Sequence, residues 1–117
     1  MPRQRGHVNE KTPGDAIAVA LEQGTVVGFA DARVEAEQVR LKGLGTDPEW
    51  RHLKVAFHLL EAVRALAPEL PVSADVLLGC EPVEGYLEAQ GFAPGEVLES
   101  DLFGELTVAR RWWLPPA

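Results

Sequence analysis

Only one cysteine, Cys80, occurs in the chain, so no internal disulfide can form, and neither a zinc cluster nor an oxidising compartment is indicated. Cys80 reads as a small half-buried apolar residue. Long apolar runs are absent, and the stretch from Met1 to Gly14 is polar and interrupted by Pro2 and Pro13, so neither a signal peptide nor a membrane-spanning helix is expected. A cytoplasmic protein follows as the expectation. Basic residues are scarce as well, 11 against 18 acidic ones. That balance argues against general nucleic-acid or anionic-membrane binding, which both need a positive field to collect phosphates. Any anion this protein binds must be held locally.

With 117 residues and 46% hydrophobic content, the chain can bury one core. Residues 1–14 lack periodicity and read as a flexible N-terminal arm, leaving 15–117 as a single domain. Within it, Ala16 to Leu21 and Thr25 to Val34 are β-rich runs joined through Glu22-Gln23-Gly24, which predicts a hairpin. Gln38 to Leu44 alternates at period two, with Val39 and Leu41 on one face and Arg40 and Lys42 on the other, a third strand beside the hairpin.

From about Glu49 the period becomes helical: Val55, Leu59, Val63 and Leu66 recur, supported by Ala56 and Leu60, until Pro68 ends the run. Val72 to Leu77 then reads as a strand parallel to the third, since a helix of this length makes a right-handed crossover. Pro82 starts a short helix through Tyr86 and Leu87, and Gly91 offers its left-handed cap. A closing hairpin, Gly95 to Glu99 with Glu105 to Leu114, turns around Asp101-Leu102-Phe103-Gly104.

The junction from Leu44 through Thr46-Asp47-Pro48 into the main helix is the most chemical feature of the chain. The first N–H groups of a helix have no intrahelical partners and its dipole is positive there, so phosphate is the expected guest.

Three segments in this order resemble the GNAT superfamily of acyl-CoA-dependent N-acyltransferases. Gly24-Thr25-Val26-Val27-Gly28-Phe29 is similar to the family's G-x-x-V-G turn. Thr46-Asp47-Pro48-Glu49-Trp50-Arg51-His52-Leu53-Lys54-Val55-Ala56 aligns without a gap with V-x-P-x-x-R-G-x-G-x-G/A. Tyr86-Leu87-Glu88-Ala89-Gln90-Gly91-Phe92 is similar to the segment that ends Y-x-x-x-G-F. The resemblance spans Asp15 to Leu114. It implies an α+β fold whose mixed central sheet runs β-β-β-α-β-α-β-β with its two central parallel strands splayed.

The resemblance also implies acetyl-CoA as cosubstrate, an amine acceptor, and a set of contacts. Backbone amides of Arg51, His52, Leu53, Lys54, Val55 and Ala56 would hold the pyrophosphate, and groups around Leu44 and Thr46 would place the acetyl carbonyl. Arg51 is the main phosphate contact in this reading and Tyr86 the acid that protonates the departing thiolate. No metal is implied. The negative charge favours a cationic acceptor, a small amine or a lysine-bearing protein.

The chain departs from the family pattern in places. The two flexible glycines fall on His52 and Lys54, the asparagine on Cys80, and the tyrosine four residues before Gly-Phe on Leu87, with Tyr86 one place earlier. One helical residue is about 100° of rotation, so Tyr86 points away from the direction of Leu87. The family's first strand and following helices, part of its acceptor pocket, are not evident, and a homodimer partner is expected to supply that wall. If catalysis is lost, the same scaffold implies an inactive module for dimerisation or protein interaction.

Other candidates are weaker. His52 and His58 titrate near neutrality, but His58 sits beside the apolar face and reads as a rim histidine. Glu35, Glu37 and Asp75 are carboxylates near where a base would lie. Trp112 and Trp113 must face opposite sides of a strand, one entering the core and the other covering an interface.

Overall fold

The computed structural model describes residues 5–10, 14–49, 54–102 and 104–117. Its elements are β1 (Arg5–Glu10), β2 (Asp15–Glu22), β3 (Thr25–Val34), β4 (Val39–Thr46), α1 (Val55–Ala65), β5 (Val72–Leu77), α2 (Glu81–Ala89), β6 (Ala93–Leu102) and β7 (Glu105–Leu114). The strands form one sheet in the order β1-β2-β3-β4-β5-β7-β6. Every pairing is antiparallel except β4 with β5.

The β2–β3 turn is closed by Gln23 and Gly24, both at positive φ (51° and 80°), which suits the right-handed twist of the strands it joins. The crossover from β4 through α1 to β5 is parallel, as the helix length required. At the end of α2, Gly91 takes φ 100°, the Phe92 N–H donates to the Leu87 carbonyl at 3.0 Å, and the Phe92 ring tucks into the core.

One face of the sheet packs on both helices. Ala16, Ala18 and Ala20 on β2 and Ala30 and Ala32 on β3 are buried on that side, where small side chains let α1 lie close and present Val55, Leu59, Leu60 and Val63. Gly28 marks the tightest approach: a methyl group there would lie 2.7 Å from Val55 Cγ1 and 3.0 Å from the Gly45 carbonyl oxygen. Leu87, Phe92, Trp112 and Leu114 continue the core under α2. The opposite face carries Phe29, Arg40, Lys42, Asp75 and Arg111 and has no helix over it among the described residues.

Three sequence expectations change. Residues 5–10 are not an arm but a strand in register with β2, from Arg5 opposite Leu21 to Glu10 opposite Ala16, so the sheet begins one strand earlier. Ladder hydrogen bonds on the β2 edge explain this, and they need no alternating pattern. The described part of the main helix begins at Val55 rather than near Glu49. Glu49 sits in a turn where its N–H donates to Asp47 Oδ1 at 3.0 Å. Finally, Trp112 is buried as expected, but Trp113 is half-covered. Its indole N–H donates to Glu96 Oε1 at 3.1 Å and the ring fills the space beside Gly95, so it presents no bare interface.

Candidate functional site

The parallel ladder between β4 and β5 is short: Val39, Arg40 and Leu41 oppose Val72, Ser73 and Ala74, and there it stops. Beyond it β4 stays with β3 as far as Thr46 opposite Gly28, while β5 stays with β7 as far as Leu77 opposite Ala109. The two strands therefore diverge into a wedge. Among the described residues, backbone groups of β4 past Leu41 that would point at β5 have no ladder partner, and they can pair with a bound ligand.

A bulge sits at the mouth of the wedge. Asp31 opposes Gly43 and Ala32 opposes Leu41, leaving Lys42 as the extra residue of β4. The bulge re-aims the rest of the strand, as such insertions do. Leu44 then packs toward the core with Leu41, while Gly43 and Gly45 face the open side beneath the Phe29 ring. The alternation read for Val39 to Lys42 holds only up to this point.

On the helix side the wedge opens into a cavity of about 350 Å³ lined by Leu44, Ala74, Val76, Val83, Tyr86 and Leu87. It adjoins a second cavity of about 360 Å³ lined by Thr46, Lys54, Val55, Ala56, Phe57, Tyr86 and Gln90. Tyr86 borders both. Leu87 is 4% exposed and belongs to the core, whereas Tyr86, 38% exposed, turns to the groove, as the rotation between neighbouring helical residues requires.

The second cavity lies at the start of α1. Lys54 occupies the N-cap at φ 57° and ψ 40°, no side chain caps the helix, and the first turn contains no acidic residue. The first helical bond runs from the His58 N–H to the Lys54 carbonyl at 3.2 Å. Among the described residues, the N–H groups of Val55, Ala56 and Phe57 therefore have no intrahelical acceptor; they lie at the positive end of the dipole, and Lys54 lines the same cavity, an arrangement that receives anions. Lys54 holds a left-handed conformation that costs a side-chain-bearing residue about 1–2 kcal/mol. Glycine, which the related pattern has here, adopts it freely.

The open side of the wedge is ionic. Arg111 of β7 donates to Asp75 through Nε at 2.7 Å and Nη2 at 2.9 Å, and the Ser100 hydroxyl of β6 donates to Asp75 Oδ2 at 2.6 Å. Arg40 of β4 lies 3.5 Å from the same oxygen and 3.7 Å from Glu35. Burial acts to raise the Asp75 pKa, but the hydrogen bonds from Arg111 and Ser100 and the charges of Arg111 and Arg40 outweigh it and hold the carboxyl below its ordinary value. The bond to Asp75 in turn raises the Arg111 pKa. Asp75 is thus a fixed anion committed to three neighbours, which removes it as a candidate base. Glu35 accepts from Gln38 Nε2 at 3.1 Å and, with Arg40 and Asp75, lines a cavity of about 610 Å³ on this open side. Glu37 is exposed and does not line it.

The structure brings together Leu44, Thr46, Lys54, Val55, Ala56 and Tyr86 along one groove. Arg51, His52 and Leu53 lie outside the described residues. His58 is exposed on the rim, edge-on to Phe57 with ring centroids 5.5 Å apart. Cys80 is half-buried at the N-cap of α2. Sequence reasoning did not single out Phe57 and Gln90 in the groove, or Phe29 and Asp31 on the open side. The last two were legible only as alternate residues of a strand whose faces were not yet assigned.

Comparison with known proteins gives a consistent picture. A sequence model described as the acetyltransferase (GNAT) family matches residues 2–92. No curated protein matches the chain by sequence. Among solved structures, the ribosomal-protein-S18-alanine N-acetyltransferase of Escherichia coli superposes with a TM-score of 0.69 at 15% identity, covering 92% of this chain and 72% of its own. A Bacillus anthracis protein assigned as a streptothricin acetyltransferase, solved with acetyl coenzyme A, gives 0.73 at 19% identity, covering 91% and 65%. Ard1 from Thermoplasma volcanium gives 0.66 at 21% identity, covering 83% and 68%. The chain thus spans about two thirds of these structures' lengths, and the likeness at such identities is one of fold.

Proposed function

The chain belongs to the GNAT acetyltransferase family, and on that premise we propose that it is an N-acetyltransferase that moves an acetyl group from acetyl-CoA to an amine. The observation that carries this reading is the continuous path from the open N-terminus of α1, past Tyr86, into the β4–β5 wedge. A pyrophosphate suits the N–H groups of Val55, Ala56 and Phe57 together with Lys54, and an extended pantetheine arm suits the unpaired edge of β4 from Leu44 to Thr46.

Acetyl-CoA supplies an activated thioester: the amine nitrogen attacks its carbonyl carbon, the C–N bond forms and the C–S bond breaks. The chain's residues serve that exchange. Backbone N–H groups near Leu44 orient the carbonyl, and the Tyr86 hydroxyl, bordering the wedge, delivers a proton to the departing thiolate. The amine enters from the opposite face, where the wedge meets the ionic cavity and releases its proton to solvent or to Glu35. A homodimer in the cytoplasm, with the second subunit walling the open face, completes the proposal. Among the described residues no helix is long and apolar enough to cross a membrane.

A non-catalytic CoA-binding module is the second reading, favoured by Leu87 being buried at the family's tyrosine position and by the strained Lys54. Thiol release from acetyl-CoA over a panel of amines separates the two. Turnover that falls at least about 100-fold in Tyr86→Phe, with acetyl-CoA affinity unchanged, supports catalysis. Tight acetyl-CoA binding with no release on any amine supports the module.

A further inference from the structure

Phe57 sits in the first turn of α1 yet takes no part in packing that helix on the sheet. The buried stripe of α1 is Val55, Leu59, Leu60 and Val63. Phe57 lies about 200° around the helix from Val55, outside the core, with 48% of its surface exposed. An amphipathic helix ordinarily places a polar residue there. Among the described residues the ring beside it is that of His58, at 74° to it with centroids 5.5 Å apart, so no ring is stacked parallel on Phe57.

Phe57 instead lines the cavity of about 360 Å³ at the start of α1, together with Gln90, the residue that ends α2. Among the described residues this lining holds one cation, Lys54, and no carboxylate, in a chain whose net charge is -7. A flat apolar ring, a side-chain amide and a cation thus share one cavity. Each suits a different part of a nucleotide. The ring takes the face of a base. The amide can pair with two atoms of a purine edge, as glutamine does with adenine. The cation and the open helix N–H groups take the phosphates.

We propose that Phe57 and Gln90 form a seat for the adenine of CoA, the Phe57 ring stacking on the base and the Gln90 amide pairing with its edge. This rests on the acyl-transfer reading for the identity of the nucleotide, and it narrows the class of donor: the thioester is recognised through its nucleotide as well as through its pantetheine arm. A thioester on phosphopantetheine alone, such as one carried by a protein, leaves the seat empty and is disfavoured.

The test is calorimetric titration of the full-length protein with CoA and with phosphopantetheine, which keeps the arm and one phosphate but lacks the nucleotide. The unmodified protein should bind CoA at least about tenfold more tightly than phosphopantetheine, and undetectable phosphopantetheine binding meets the same expectation. Phe57→Ala and Phe57→Leu should each weaken CoA binding about tenfold, the loss expected when an aromatic platform under a base is removed, without weakening phosphopantetheine binding. Phe57→Trp should retain CoA affinity. Gln90→Ala should weaken CoA binding about fivefold and leave unchanged the binding of etheno-CoA, whose adenine edge is bridged. Alanine and leucine are good helix formers and Phe57 is exposed, so unchanged melting temperatures serve as the control for folding. CoA affinity in Phe57→Leu equal to that of the unmodified protein, or phosphopantetheine losing as much affinity as CoA, would overturn the proposal and leave the acyl-transfer reading standing. Failure of the unmodified protein to bind CoA would overturn both.

Discussion

Asp75 on β5 accepts two hydrogen bonds from Arg111 on β7, at 2.7 and 2.9 Å, one residue past the point where β5 leaves β4. This pairing ties the departing strand to its new neighbour, and Arg40, 3.5 Å away on β4, links it back across the wedge. The Asp75 side chain is 3% exposed and that of Arg111 16%. Asp75→Asn therefore leaves a mostly buried guanidinium without its counter-charge, and a loss of about 3 kcal/mol is expected. The double variant Asp75→Leu with Arg111→Met should lose less than either single change. Urea unfolding of the set checks this, and equal stability of Asp75→Asn and the unmodified protein would refute it.

Acid should weaken the same tie. The folded-state pKa of Asp75 is held below its ordinary value of 3.8, so its stabilising contribution is fully present above that value and is lost as the pH falls through the lower folded value. Melting temperatures measured from pH 6 downward should decline below about pH 4, and the part due to Asp75 should vanish in the Asp75→Leu, Arg111→Met variant. An unchanged decline in that variant would assign the acid sensitivity elsewhere.

Gly28 has no room for a side chain, because Val55 at the start of α1 rests against it and the Gly45 carbonyl is close behind. Gly28→Ala should cost about 1–3 kcal/mol by overpacking and weaken CoA binding by displacing the helix start. Adding Val55→Ala should recover part of both losses. Calorimetric melting and CoA titration of the single and double variants test the coupling, which strict additivity would exclude.

Lys54 holds φ 57°, where glycine meets no steric penalty. Lys54→Gly should therefore stabilise the fold by up to about 1 kcal/mol despite the greater entropy of the unfolded chain, while removing a charge from the proposed anion site. The expected pairing is a higher melting temperature with weaker CoA affinity. A variant both less stable and unchanged in CoA affinity would show that neither the strain nor the charge matters.

Much of this architecture could be read from local pattern. The Gln23-Gly24 turn, the alternation to Leu41, the crossover helix, the Gly91–Phe92 ending and the last hairpin each follow from residues adjacent in sequence. What escaped depends on distant partners. The Arg5–Glu10 strand is held by backbone pairing on an edge. The bulge at Lys42 reverses the strand faces for reasons set by β3, and Asp75 meets Arg111 36 residues away. The groove residues Leu44, Thr46, Val55 and Ala56 were legible because a strand, a turn and a helix start lie consecutively in the chain. Phe29 and Asp31 were not, since their face is fixed only by the bulge opposite them.

Calorimetric titration of the purified protein with acetyl-CoA, with free CoA and ATP as comparisons, tests the central claim most directly. Micromolar binding shared by acetyl-CoA and CoA, with much weaker binding of ATP, is the expected result, because in the proposed reading the wedge takes the pantetheine arm as well as α1 the pyrophosphate. Absence of detectable acetyl-CoA binding at millimolar concentration would contradict it.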